Sequence, residues 1–451
     1  MRKVPISDIA IPVLGGTPKR GISSYWDGSI KWATAKDVVN NKGRYLFSTA
    51  ETITEEGLNN SAAKILPKGT VIITARGTVG AIAQLGENMA FNQTCYGLIP
   101  KDTNKIDQDY LYYALKASIQ EMHAVSYGTV FDTITMKSFD EIQIPLPPLP
   151  EQKAIAHILG TLDDKIELNR RMNETLEEMA KAIFKSWFVD FAPVIDNALK
   201  AGNPIPDALA EKAARRRAIS TPKLSPEIAR LFPDSFEDSP LGPIPKGWRV
   251  SSFTEIIEIN PKYSLSKGKI APYVDMASLP TSGLELLSPP KLREFTSGSK
   301  FKNGDVLFAR ITPCLENGKT TLVNFLEEDQ VGWGSTEFLV FSPKRAGSYF
   351  IYCLSRWEKL RDFAVKTMKG TSGRQRVSKE AFEHFYIPEA PSEILIQFEK
   401  TVDPLFLKIK SNNKESQTLS GVRDTLLPKL ISGQIRIKDA EKFVGKFCEL
   451  N

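Results

Sequence analysis

Along two stretches of the chain, apolar residues return at alternating steps of four and three. The first stretch runs Ile155, Leu159, Leu162, Ile166, Leu176, Ala180, Ile183 and Trp187, and its omitted steps are Asn169 and Asn173. The second lies 243 positions on, at Phe398, Val402, Leu405, Ile409, Leu419, Leu426 and Leu430. Arg423 replaces one apolar step there, and the polar interruption returns as Asn412 and Ser416. A period of 3.5 held this long exceeds what one domain face needs and predicts two long helices that pack on each other as a coiled coil. Each helix follows its own strand-containing segment, so the pair is expected to run antiparallel. A pseudo-dyad near residue 171 then sets Asn169 against Ser416, Asn173 against Asn412, Ile166 against Leu419, Ile183 against Val402 and Trp187 against Phe398. A slip of one heptad would bury Asn against Leu or Ile, at ~1–3 kcal/mol for each unsatisfied group, so the polar layer selects the register. In that register Arg423 faces Leu162 and is expected to reach out to solvent. Pro404, with Asp403 before it, is expected to kink or restart the second helix.

The same offset of 243 relates residues 134–145 to 377–388 without a gap, and Pro148 to Pro391. Upstream the likeness is looser but keeps its order. The run Gly69-Thr70-Val71-Ile72-Ile73-Thr74-Ala75-Arg76 echoes Gly304-Asp305-Val306-Leu307-Phe308-Ala309-Arg310 with one residue of slip. Asn92-Gln93 echoes Ser335-Thr336, and Tyr110-Leu111-Tyr112-Tyr113 echoes Tyr349-Phe350-Ile351-Tyr352. Short β-branched runs such as 70–74 and 305–308 alternate with polar loops and amphipathic segments, which gives an α+β class. The layout is a domain over 1–145, a long helix within 146–190, a linker over 191–246, a second domain over 247–388, a second helix within 389–435 and a tail over 436–451. The linker holds nine of the 29 prolines and leaves room for one short helix. Its Arg215-Arg216-Arg217 run reads as a solvated helix face before a phosphate contact.

Composition narrows the function. Of 451 residues, 41% are hydrophobic and 25% charged, which excludes wholesale disorder. A net charge of +6 favours an anionic partner. No apolar run is long enough for a transmembrane helix, and no apolar core follows the charged start, so a cytoplasmic chain without a signal peptide is expected. Cys95, Cys314, Cys353 and Cys448 lie far apart and away from His123, His157 and His384, so neither a metal site nor a disulfide framework is expected. Ser288-Pro289-Pro290-Lys291 lacks the acid or amide and the aromatic of a methyltransferase motif. Gly15-Gly16-Thr17-Pro18-Lys19 has the wrong spacing for a phosphate loop, and its proline removes a donor. No catalytic site is read.

Several segments resemble one family. Pro145-Leu146-Pro147-Pro148-Leu149-Pro150-Glu151-Gln152 at a helix start, and Lys185-Ser186-Trp187-Phe188-Val189-Asp190-Phe191 at its exit, are similar to the first conserved region of the type I restriction-modification specificity (S) subunits. Leu426-Leu427-Pro428-Lys429-Leu430-Ile431-Ser432-Gly433-Gln434-Ile435 resembles the close of the second, and Gly242-Pro243-Ile244-Pro245-Lys246-Gly247-Trp248 the entry to a second recognition domain. The second copy departs from the pattern at Pro391-Ser392-Glu393-Ile394, which lacks the Glu-Gln pair. The resemblance implies two pseudo-repeated α/β target-recognition domains separated by two long helices that form an antiparallel coiled coil. It implies a non-catalytic subunit that reads a bipartite, asymmetric target in double-stranded DNA. Its partners would be two methyltransferase (modification) subunits and the motor and nuclease (restriction) subunits. S-adenosylmethionine, ATP and Mg would sit on those partners, with none bound by this chain. The alternatives are an S subunit serving a polypeptide with fused cleavage and methylation activities, a single-chain DNA methyltransferase, and a coiled-coil scaffold.

Base readout needs paired donors and acceptors, and positioning needs phosphate contacts. The candidates in the first domain are Lys19, Arg20, Lys36, Arg76, Thr78, Asn92 and Gln93, with Tyr25 and Trp26 read as packing residues before base stackers. In the second they are Arg310, Thr312, Asn317, Lys319, Ser335, Thr336, Glu337, Lys369, Arg374, Gln375 and Arg376. The basic, Gly-rich stretch over 369–376 suits phosphates. Arg76 and Arg310 are set as counterparts, each following a strand-like run.

Overall fold

The computed structural model describes residues 2–125, 133–218, 224–371 and 373–448. They fall into two compact units, one made of Met1–Asn169 with Lys414–Asn451 and the other of Arg170–Asn413.

In the first unit, the apolar run Val71–Thr74 is buried on both faces at the centre of a five-stranded sheet. It pairs antiparallel with Ile82–Leu85 on one side and with Cys95–Pro100 on the other, and Cys95–Pro100 pairs in turn with Ala10–Leu14. A second sheet sets Trp26–Ala33 antiparallel to Glu51–Ile53 and parallel to Ala90–Phe91. Lys3–Pro5 and Gln143–Pro145 close the domain as a two-stranded ribbon.

The second unit repeats the order of the shared strands in two four-stranded sheets: it lacks a counterpart of Tyr45–Leu46 and adds Ser299–Phe301 beside Gly332–Gly334. Val306–Ala309 lies between Thr320–Leu322 and Phe338–Pro343, with Ile257–Ile259 outermost. Ile270–Val274 pairs antiparallel with Lys291–Glu294 and parallel with Gly332–Gly334. Arg249–Ser252 and Tyr386–Glu389 form the closing ribbon. Both units mix sheets and helices, and each contains one α/β domain and a piece of both long helices.

The first long helix is Leu149–Phe184 and the second Ser392–Ile431. Within each unit the two run antiparallel. In the first, Ile155, Leu159 and Leu162 share a core with Leu419, Leu426 and Leu430, and Ile166 packs at its edge. Asn169 Nδ2 donates to Glu415 Oε2 at 2.7 Å and to Ser416 Oγ at 3.3 Å. In the second, Ala180 and Trp187 share a core with Phe398, Val402 and Ile409, flanked by Leu176, Ile183 and Leu405. Asn412 Nδ2 donates to Asn173 Oδ1 at 2.8 Å, and Asn173 Nδ2 donates to Asn413 Oδ1 at 2.6 Å.

Four expectations need correction. Arg423 turns inward and is largely buried rather than solvated. Its Nη1 lies 2.5 Å from Oδ1 of buried Asp163, and Asp163 Oδ2 accepts from the Tyr113 hydroxyl at 2.6 Å. The positions 243 removed from this pair are Phe406 and Ala180, which lie in the aromatic core of the second unit. A salt bridge in one unit thus stands where a large and a small apolar residue stand in the other.

The second long helix runs through Pro404. Buried Val402 and Phe406 on either side hold it against its neighbours, which offsets the lost backbone bond. The first ends in a π-helical turn, Lys185–Val189, that turns both Trp187 and Phe188 inward.

The proline-rich stretch 191–246 is also more structured than a linker with one helix. It holds the helices Ala192–Ala201, Ala210–Ala218 and Pro226–Ala229, with Phe236–Glu237 paired to Ile244–Pro245. Val194, Phe232, Ile244 and Trp248 join Trp187 and Phe188 in one core, while Pro193 and Pro226 occupy first-turn positions that tolerate proline. Of the arginine run, Arg215 pairs with Glu211, and Arg216 pairs with Asp196. The 436–451 stretch carries a helix, Ile437–Cys448, that buries Ala440.

The missing Glu-Gln pair of the second copy has a local explanation. Fully buried Gln152 ties the first helix start to the backbone at Asp107, Lys105 and Pro147. In the second unit Glu399 does the tethering, accepting from the Tyr349 and Phe350 amides at the start of the Ser348–Arg356 helix.

The buried pair provides a stability test. Arg423→Ala leaves the Asp163 carboxylate without its cation and should cost about 3 kcal/mol. In an Asp163→Ala background the same change should cost about half as much or less. Urea midpoints of the full chain measure both, and equal costs would show the two residues to be uncoupled.

Candidate nucleic-acid interface

In the first domain the chain passes Gly15 and Gly16 close against the Phe91–Asn92 backbone. Gly16 N donates to Phe91 O at 2.9 Å, and the Trp32 indole donates to Gly16 O at 2.9 Å. A Cβ on Gly15 would come within 2.2 Å of Asn92 O, and one on Gly16 within 2.2 Å of the Ala62 carbonyl carbon. The two glycines therefore serve a close backbone approach, which sets Thr17 to Arg20 beside residues 92 and 93. Thr17 hydrogen-bonds Gln93. Arg20 pairs with Glu51, and its Cζ lies 4.1 Å from the Trp26 ring centroid. That hydrogen bond holds the Glu51 carboxyl below its usual range. Trp26 sits edge-on to buried Trp32, in a packing role. Asn92 N donates to Ala33 O at 2.9 Å, which sets the Ala35–Asn40 helix carrying Lys36 beside the same strand. The Asn92 side chain turns inward, where Oδ1 accepts from Thr94 N at 3.1 Å and from Thr94 Oγ1 at 2.6 Å. Arg76 and Thr78 lie in an exposed turn after Val71–Thr74.

The second domain gathers its candidates more tightly. Lys369 and Arg376 exchange backbone hydrogen bonds of 2.9 Å and form the base of a hairpin. Its return strand lies on the sheet end: Thr312 N donates to Gln375 O at 3.1 Å, and Val377 N donates to Arg310 O at 2.9 Å. Arg310 N donates to Glu337 O at 3.0 Å, which brings in Ser335 and exposed Thr336. The Arg310 side chain is half-buried, and its Nε has no hydrogen-bond partner among the described residues. Arg376 is clasped by Glu337 and does not stand free. Lys369 and Arg374 are exposed, and Ser372 between them lies outside the described residues.

Two candidates behave differently. Lys319 Nζ donates to Met276 O at 2.8 Å and so ties two loops together. Asn317 stays exposed in the turn before it. That turn depends on Arg356, a residue that sequence reasoning missed. Its guanidinium donates to the carbonyls of Thr281 at 3.0 Å, Gly318 at 2.9 Å and Thr320 at 2.6 Å. A lone arginine ending the apolar run Tyr349 to Ser355 was the available signal.

The hydrogen bonds also revise the pairing of Arg76 with Arg310. Ala75 N donates to Thr94 O and Ala75 O accepts from Ile134 N, as Arg310 does with Glu337 and Val377. Ala75 is therefore the counterpart of Arg310, and Arg76 lies one position further, at the Gly77 turn. Thr94 stands where Glu337 does.

Among the described residues, no group of three His, Cys, Asp or Glu side chains is placed to hold a metal ion, and no helix is long and apolar enough to cross a membrane.

Comparison with known proteins agrees with the duplicated layout. The type I restriction modification DNA specificity domain matches residues 1–178 and again residues 245–420. The chain therefore belongs to the family of type I restriction-modification specificity subunits. The specificity subunit of the type I restriction enzyme MjaIX from Methanocaldococcus jannaschii is 28% identical over 447 residues, covering 96% of this chain and 93% of its own. The HindI specificity subunit of Haemophilus influenzae is 25% identical over 470 residues, covering 93% and 98%. The crystal structure of an S subunit from M. genitalium aligns with 95% of this chain and 96% of its own, at a TM-score of 0.49 and 18% identity.

The close approach at Gly16 yields an expected outcome. Gly16→Ala should lower stability by about 1–3 kcal/mol, because only backbone atoms meet the new methyl group. Thermal melting of the variant measures it, and an unchanged midpoint would show that the Thr17–Arg20 segment can shift at no cost.

Proposed function

We propose that the chain reads a bipartite, asymmetric sequence in double-stranded DNA, one half through each α/β domain, in the cytoplasm. One observation carries this reading. The two domains share a strand order but differ at equivalent positions next to their exposed loops, Ala75 against Arg310 and Thr94 against Glu337. A shared scaffold with different side chains at its loop ends is what two unlike half-sites require. The exposed cations Lys19, Lys369 and Arg374 supply phosphate contacts, whose salt-dependent attraction is independent of sequence. Half-buried Arg310, Arg76 at its exposed turn and exposed Thr336 supply base contacts.

The reading includes partners. Two methyltransferase subunits act on the target that this chain selects, and restriction subunits join through the same assembly. S-adenosylmethionine, ATP and Mg belong to those subunits, and catalysis resides there. This division fits a chain in which no methyltransferase motif is found.

Exchange of residues 247–388 for the corresponding segment of a relative should change one half of the target and leave the other intact. Mapping methylated adenines in a host expressing the chimera reads this directly, and a change in both halves would overturn the modular reading. Arg310→Ala should weaken binding to the specific site by about 1–3 kcal/mol. Arg76→Ala should do the same for the half-site read by the first domain. Lys369→Ala should weaken binding to all sequences alike and reduce the salt slope by about 1. Titrations of duplex DNA at several salt concentrations separate the two behaviours, and unchanged affinity for all three variants would remove the interface from these loops.

A further inference from the structure

We propose that Arg376, held by Glu337, reads a guanine in the half-site contacted by the second domain. This rests on the DNA-recognition reading above and adds a base identity to it.

The donor count supports a base contact. A guanidinium has five N–H groups. Arg376 Nε lies 3.0 and 2.9 Å from the two Glu337 carboxylate oxygens, and Nη2 lies 2.7 Å from Oε1. Nη1 donates to Arg374 O at 3.1 Å. One N–H on each of Nη1 and Nη2 is left uncommitted. The side chain is 42% exposed. Two parallel donors match the O6 and N7 acceptors of guanine in the major groove. Adenine offers one acceptor beside a donor, cytosine offers a donor, and thymine offers a single acceptor beside a methyl group, so none of them accepts both.

Charge argues against a phosphate role. Glu337 neutralises Arg376, so the pair attracts a phosphate weakly while keeping two directed donors. The support is stiff as well. Ser335 Oγ accepts from Glu337 N at 3.1 Å, and Glu337 O accepts from Arg310 N at 3.0 Å. The Arg376 backbone is bonded to Lys369 in both directions, and its neighbours Gln375 and Val377 are bonded to Thr312 and Arg310. An arginine buttressed on one edge and anchored through its backbone loses little freedom on binding. In the first domain, the offset of 243 puts Thr94 and Thr133 at these positions. This Arg–Glu pair therefore has no counterpart at those positions of the first domain.

The experiment is selection from a random duplex pool at fixed salt, using the full chain assembled with its modification subunits. The wild type, Arg376→Lys and Glu337→Gln are compared. The wild type should enrich a guanine in the half-site that changes on exchange of residues 247–388. Arg376→Lys keeps the charge but loses the fork, so preference at that one base pair should fall about tenfold or more while other positions and the salt slope hold. Glu337→Gln should relax the same position. A uniform loss across sequences with a smaller salt slope would make Arg376 a phosphate contact and overturn the proposal. Unchanged specificity in folded variants, or a half-site without guanine, would overturn it too. If the wild type enriched no sequence, the DNA-recognition reading itself would fail.

Discussion

Two carboxamides in an apolar seam set the strongest constraint in this molecule. A polar group sealed between helices needs a partner at the same level, and a slip of even one heptad removes it. Asn169 meets Glu415 and Ser416 in one unit, and Asn173 meets Asn412 and Asn413 in the other. Once those levels are set, the remaining contacts follow. Arg423 comes level with Asp163, and Trp187 lies 6.0 Å from Phe398. Apolar area drives the helices together, but it is indifferent to sliding. The amides are not, and so they decide which side chains share each layer.

Much of the architecture was legible because it is written in periods and offsets. A 3.5-residue spacing survives individual substitutions, and a gap-free match over residues 134–145 and 377–388 identifies the repeat. The buried ion pair was not legible. Arg423 stands on the seam, but Asp163 lies one step off it and Tyr113 fifty residues away, so neither declares itself as a partner. Proline density hid the structure of 191–246, where apolar residues scattered between the prolines join the aromatic core around Trp187. The helix start without Gln152 could not show that Glu399, one turn further on, would take up the tethering.

The interface was legible in residue type and illegible in direction. Residue type made Asn92 and Lys319 candidate readers, but Asn92 Oδ1 accepts from Thr94 and Lys319 Nζ donates to the Met276 carbonyl. It also paired Arg76 with Arg310, because matching residue types were aligned; the ladder of backbone bonds pairs Ala75 with Arg310 instead. Whether a side chain points out is decided by hydrogen bonds from segments distant in sequence. Arg356 is the clearest case, since its carbonyl acceptors lie between 36 and 75 residues away.

The layer in which Asp163 faces Arg423 also bears on whether the two halves can stand in for each other. The equivalent positions hold Phe406 and Ala180. A molecule built from two copies of the first half would set a buried carboxylate against a methyl group, and one built from two copies of the second would set a guanidinium against a phenyl ring without a counter-charge. Either substitution strands a charge. The halves have become distinct mates whose seam accepts only the unlike copy. Joining them in one polypeptide supplies that mate in every molecule, at a concentration that dilution cannot lower.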